Sequence, residues 1–109
     1  MRNKYGAKRT DYNGATYDSK REAKHAAQLD LLIKAKDIED AVIKWERQVE
    51  FPLVVNGQLI CLYRADFRVW YPDGRCEIHE VKGMDTQTWR LKAKLFKALH
   101  PELLLKVIR

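Results

Sequence analysis

From Tyr63 to Tyr71 the chain alternates, with Tyr63, Phe67, Val69 and Tyr71 separated by Arg64, Asp66, Arg68 and Trp70. A period of two is the mark of a half-buried strand. Pro72-Asp73-Gly74 follows. Proline presets φ for one turn position, aspartate suits the next, and glycine tolerates the left-handed conformation. A second strand to about Gly83 then completes a β-hairpin. With Tyr71 facing Arg75 across a three-residue loop, Asp66 falls opposite Glu80, and Asp66, Glu80 and Lys82 share one face. A two-residue loop would shift the register by one and separate them.

The remaining pattern is read around this hairpin. Residues 1–17 show little periodicity, and Asn13-Gly14 is a turn signal inside a loose or hairpin-like basic arm. Asp18 to about Lys36 predicts a helix: Ser19 and Glu22 match a capping box, and Glu22, Ala26, Leu29 and Ile33 form one face. That face is apolar except for Glu22, which stands at its N-terminal end. A strand is expected from about Ile43 to Phe51, with Pro52 marking an edge or break. Leu53-Val54-Val55 and Leu59-Ile60-Cys61-Leu62 flank Asn56-Gly57, the signal for a type I′ hairpin. After Met84, Asp85 or Thr86 could cap a helix to about Leu99, with Trp89, Ala93, Phe96 and Leu99 on its buried side. His100-Pro101 stops it, and Leu103 to Ile108 supplies a last, largely buried strand. The fold class is α/β (α+β): one domain over residues 1–109, a mixed sheet with antiparallel hairpins flanked by two main helices.

Composition narrows the class without naming a function. The 109 residues are 46% hydrophobic and 33% charged, which suits one globular domain. No apolar run approaches the ~20 residues a membrane-spanning helix needs, and no signal peptide opens the chain, so a cytoplasmic protein is the default expectation. Cys61 and Cys76 lack zinc spacing and read as reduced thiols, although the hairpin register would allow them to approach. A net charge of +6 favours a polyanionic partner. Its cations cluster: Lys4, Lys8 and Arg9 in the arm, Lys20 at the start of the first helix, and Arg90, Lys92 and Lys94 in the second. Each cluster reads equally as a solvated face. Lys92, one turn into a helix that leaves the hairpin directly, is the best placed for a phosphate contact.

Opposed carboxylates are costly, since like charges at ~4 Å repel by about 4 kcal/mol at an effective dielectric of 20. A divalent cation converts that repulsion into attraction, and oxygen donors in an incomplete shell suit Mg²⁺ or Mn²⁺. Lys82 would sit beside the ion, able to hold water or an anionic substrate.

Asp66 followed by Glu80-Val81-Lys82 resembles the D…(D/E)xK signature of the PD-(D/E)XK nuclease superfamily, which includes restriction endonucleases, Holliday junction resolvases and small phage nucleases. Ala65 stands where the motif's name shows proline. The segments YRADFRVW…EVKG and RLKAKLFKALHP look most like small phage-encoded members, and YDSKREA resembles the superfamily's first-helix segment. The resemblance implies a restriction-endonuclease-like core. It makes Asp66, Glu80 and the Val81 carbonyl metal ligands, Lys82 the residue that positions or activates water, and Glu22 a third carboxylate ligand. Glu22 as a helix cap is the competing reading. Gln48 lies where such nucleases carry a polar residue, against a solvated strand position. His25 and His79 are left out of the site, because His79 should face away from Glu80.

The implied function is a Mg²⁺-dependent DNA endonuclease, selective for branched recombination or replication intermediates and acting as a homodimer. Its expected DNA contacts are Lys4, Lys8, Arg9, Lys20, Arg64, Arg90, Lys92 and Lys94. A nucleic-acid-binding module with this fold and no chemistry is the alternative. A third reading is a basic face that docks on a partner's acidic tail.

Overall fold

The computed structural model describes residues 8–35 and 41–109. Two short strands, β1 (Thr10–Tyr12) and β2 (Ala15–Tyr17), pair antiparallel across a type I′ turn in which Asn13 and Gly14 take φ of 49° and 82°. The basic arm is therefore ordered as a hairpin from Thr10 onward. Helix α1 (Lys20–Lys34) follows directly. Its buried positions, Ala23, His25, Ala26 and Leu29, all lie in its N-terminal two-thirds. Ile33, expected on the same face, is exposed, because full burial ends at Leu29 and Leu32, not Ile33, takes the next contact with the core.

A four-stranded sheet forms the centre in the order β3-β4-β5-β6. Strand β3 (Lys44–Val55) turns through Asn56-Gly57, both at positive φ, into β4 (Gln58–Trp70). The strand does not break at Pro52. β3 is an edge strand, where an absent N–H can face away from the neighbour without losing a ladder bond. Strand β5 (Cys76–Val81) returns through the predicted turn, with Tyr71 N donating to Arg75 O at 3.0 Å and Gly74 at φ 92°. Trp70↔Cys76, Val69↔Glu77 and Phe67↔His79 reproduce the register expected from a three-residue loop. Helix α2 (Gln87–Leu99), capped by Thr86, leads to β6 (Leu104–Ile108), which lies parallel to β5. The last strand is less buried than its composition suggested. As the second edge of the sheet it buries only Leu105 and leaves Leu104 exposed.

Two half-cores share this sheet. Ala23, Ala26 and Leu29 of α1 pack on Phe67, Val69 and Tyr71, whereas Ala93 and Phe96 of α2 pack on Phe51, Leu53, Tyr63 and Ala65. Odd-numbered residues of β3 and β4 thus face α1 near one end and α2 near the other. The change of face falls between Arg47 and Val49 on β3 and between Ala65 and Phe67 on β4. Gln48, at φ 53°, is a left-handed residue inside a strand, and it and Asp66 fall at a gap in the pairs that run from Lys44↔Trp70 to Leu53↔Cys61, beyond which a bulge shifts the register. Cys61 and Cys76 do not approach one another. Cys61 pairs with Leu53 and Cys76 with Trp70, roughly 30 Å apart along β4 at the usual rise per residue. Among the described residues no helix is long and apolar enough to cross a membrane.

Candidate metal centre and nucleic-acid interface

The kink at residues 48 and 66 determines where the acidic side chains go. The β4–β5 ladder stops at Phe67↔His79, so Asp66 and Glu80 are not the straight cross-strand pair expected from the sequence. Instead Asp66 Oδ2 accepts from the Val81 amide at 2.8 Å. Successive strand residues still send Glu80 to the face opposite His79, as expected, and its carboxylate accepts from the Tyr63 hydroxyl. Glu80 is only 4% exposed.

Helix α1 brings the third carboxyl. Ser19 adopts the extended N-cap conformation, accepting from the Glu22 amide at 3.1 Å and donating to Glu22 Oε2 at 3.3 Å. The capping box therefore closes through the serine hydroxyl, not its backbone N–H, and Glu22 remains able to touch Asp66. Arg21 fixes the tip of the helix to the end of β5: its Nη1 donates to the Lys82 carbonyl at 3.2 Å. Gly83 permits this approach, since a Cβ there would lie 3.0 Å from Nη1. Glu22 thus serves both as a cap and as a member of the cluster, and the two readings do not exclude one another.

Asp66 lies between Glu22 and Glu80, near enough for its carboxyl to interact with both. Burial, reinforced by the charge of Asp66, pushes Glu22 up to about 8. Burial, followed by the bond to Glu80, pushes Asp66 up to about 7. The Tyr63 phenol is likewise raised by burial and by the Glu80 carboxylate beside it. Among the described residues no three His, Cys, Asp or Glu side chains are disposed around one cation position.

A cleft of about 350 Å³ opens over Asp66 and Glu80, and Lys82, Arg64, Lys92 and Gln48 also line it. Glu22 does not line the cleft but reaches Asp66 from the side of α1. The Lys82 ammonium lies 4.9 Å from the centre of the Trp89 ring, which holds it on the wall. Val81 turns its amide toward Asp66, and in a strand the carbonyl of the same residue leaves on that side.

The expected DNA contacts divide. Arg64 and Lys92 are in the cleft with Lys82. Lys20, Arg90 and Lys94 are exposed on the helices and do not line it, and Lys8 and Arg9 are exposed just ahead of β1. Lys4 lies outside the described residues. Sequence reasoning undervalued Gln48, which lines the cleft, and missed Tyr63, Trp89 and Asp18, which do so too. Nothing in the local pattern separates Tyr63 or Trp89 from ordinary core aromatics.

Neither the curated proteins nor the solved structures contain a match to the chain. A family model described as "Protein of unknown function (DUF1064)" matches residues 2–109, and the chain belongs to that family.

Proposed function

We propose that the protein is a metal-dependent DNA endonuclease that hydrolyses phosphodiester bonds, with selectivity for branched intermediates. One observation carries the reading: Asp66 and Glu80 line a cleft that also holds Lys82, Arg64 and Lys92, and Glu22 approaches Asp66 from α1. A fold seldom gathers acids whose proton affinities are raised by burial and by one another unless the site has a use for them.

The donors are all oxygens, which suits Mg²⁺ or Mn²⁺ over softer ions. Glu22, Asp66, Glu80 and the Val81 carbonyl would hold the ion. When bound, it supplies polarisation of the scissile phosphate and a water of lowered pKa. The chain's own groups do the rest. Tyr63 orients Glu80 by donating to its carboxylate. Lys82, braced on Trp89, orients the attacking water and offsets charge that develops on the phosphate. Arg64 and Lys92 bind flanking phosphates without reading sequence.

The test is a cleavage panel on linear duplex, flap, fork and four-way junction DNA with Mg²⁺ or Mn²⁺. Cutting that favours branched substrates and stops in EDTA is expected. Wild-type activity that persists in EDTA overturns the metal mechanism. Salt-sensitive binding with no nicking at any metal concentration would leave a DNA-binding module in its place.

A further inference from the structure

A second cleft of about 520 Å³ lies on the α1 side of the sheet, walled by Tyr12, Tyr17, Trp45 and Arg47, with Ala15 and the exposed Glu46 also lining it. Its rings are fixed. One carboxylate, Asp30, accepts from the Trp45 indole at 2.9 Å and from the Tyr12 hydroxyl at 2.5 Å. Trp45 also meets Phe67 edge to face at 5.5 Å, and Tyr17 is 4% exposed. Arg47 lies 4.2 Å from the centre of the Tyr17 ring and donates to the Thr16 carbonyl at 2.9 Å.

The position of this cleft is as informative as its chemistry. Tyr17 lines it and Asp18 lines the acidic cleft; Arg47 lines it and Gln48 lines the acidic cleft. At two crossings the boundary between the clefts is a single peptide unit, about 3.8 Å from Cα to Cα. A strand that leaves Asp66 and Glu80 across the edge strand at Gln48 comes to the aromatic walls.

Resting on the reading of the acidic cleft as a DNA site, we infer that the Tyr12–Tyr17–Trp45–Arg47 cleft takes an unpaired nucleobase adjacent to the scissile phosphate. Held aromatic faces bind any base by stacking, and an arginine plane adds to that surface. A paired base cannot enter, because its faces are covered by its neighbours in the duplex. The cleft would thus convert the general electrostatic attraction of the acidic site's cations into a preference for flaps, forks and junctions. A cationic guest such as a quaternary ammonium is disfavoured, since the Arg47 guanidinium already occupies the face of Tyr17.

The test compares affinities within one protein, which cancels any difference in folded fraction. Two forked duplexes are used, identical except that the unpaired arm carries either thymines or abasic sites. Binding is measured with Ca²⁺ in place of Mg²⁺, so that no cutting is required. Base–aromatic stacking of ~1–3 kcal/mol corresponds to wild-type protein preferring the base-bearing arm about 5- to 150-fold. In Trp45→Leu that ratio should fall toward one, and Tyr12→Leu, which removes a different ring, should lower it too. A wild-type ratio of one, or a ratio unchanged in both variants, overturns the inference. If the fork is cut with Mg²⁺ but shows no base preference, the nuclease reading stands and the inference fails. If the preference is present but nothing is cut, the inference stands and the nuclease reading fails.

Discussion

Strand β5 buries two polar clusters on its opposite faces, and they could hardly be less alike. Toward α1, Glu77 accepts from the Tyr71 hydroxyl and bonds His79, each at 2.9 Å, and His79 meets His25 at 2.8 Å. Burial alone would raise Glu77, but its bonds from His79 and Tyr71 outweigh that and hold it below the usual carboxylate range. On the other face the buried Glu80 lies with the half-buried Asp66 and Glu22, and the latter two are raised to about 7 and about 8. Both clusters have neutral donors, but only the first sets an imidazole beside its carboxylate, whereas the second sets carboxyl beside carboxyl. Acids gathered beside one another are a cost that packing does not require, which marks the second cluster as the candidate for function.

The largest effect that separates the clusters is expected from isosteric substitutions. Asp66→Asn and Glu80→Gln should lower Mg²⁺-dependent cleavage by about 10²–10³-fold or more, with near-UV circular dichroism unchanged. Glu77→Gln should do the reverse, leaving the cleavage rate within about twofold and lowering unfolding free energy by roughly 1–3 kcal/mol in urea titrations. If Glu77→Gln abolishes cutting while stability holds, the division of roles between the two faces is wrong.

The pH dependence of stability should carry both signatures with opposite sign. Glu22 and Asp66 bind protons more tightly folded than unfolded, where their values are 4.5 and 3.8. Between about pH 4 and 8 the folded chain thus holds the extra protons, and stability falls as pH rises through that window. His25, lowered by burial from 6.5 to about 4, acts the other way: stability falls as pH drops from 6.5 toward 4. Above pH 6.5 the acids act alone, so Tm measured without metal should decline from pH 6.5 to 8.5. Glu22→Gln should flatten that limb, and Mg²⁺ should raise Tm more at pH 8 than at pH 6. A metal-free Tm that rises over this range would show that the carboxyls do not share protons.

The smallest expected effect concerns the kink that aims Asp66. A non-glycine residue in the left-handed region costs roughly 1–2 kcal/mol, while glycine in a strand costs about 0.5–1 kcal/mol in entropy. Gln48→Gly should therefore raise stability by about 1 kcal/mol or less. It also removes a side chain from the cleft wall, so the cleavage rate should fall as stability rises. A stability loss above about 1 kcal/mol would mean that the Gln48 side chain, not its backbone, holds the bend.

Local codes made much of this fold legible. Asn13-Gly14 and Asn56-Gly57 dictate left-handed turns, Pro72-Asp73-Gly74 fixes the register of β4 on β5, and Ser19 and Thr86 cap the helices. Each works through a few neighbouring residues, which is why the sequence discloses it. That register, extended one step, set Asp66 opposite Glu80, whereas the ladder ends at Phe67↔His79 and Asp66 bonds the Val81 amide.

The sequence alone thus determined the turns, the caps and the element order. Tertiary structure decided what lies between distant segments: the change of face at Gln48 and Asp66, the Tyr63 hydroxyl on Glu80, Arg21 tying α1 to β5, and the aromatic cleft against the acidic one. Those features depend on how a twisted sheet is shared by two helices, and twist accumulates over whole strands, not within the few residues that a turn or a cap can encode.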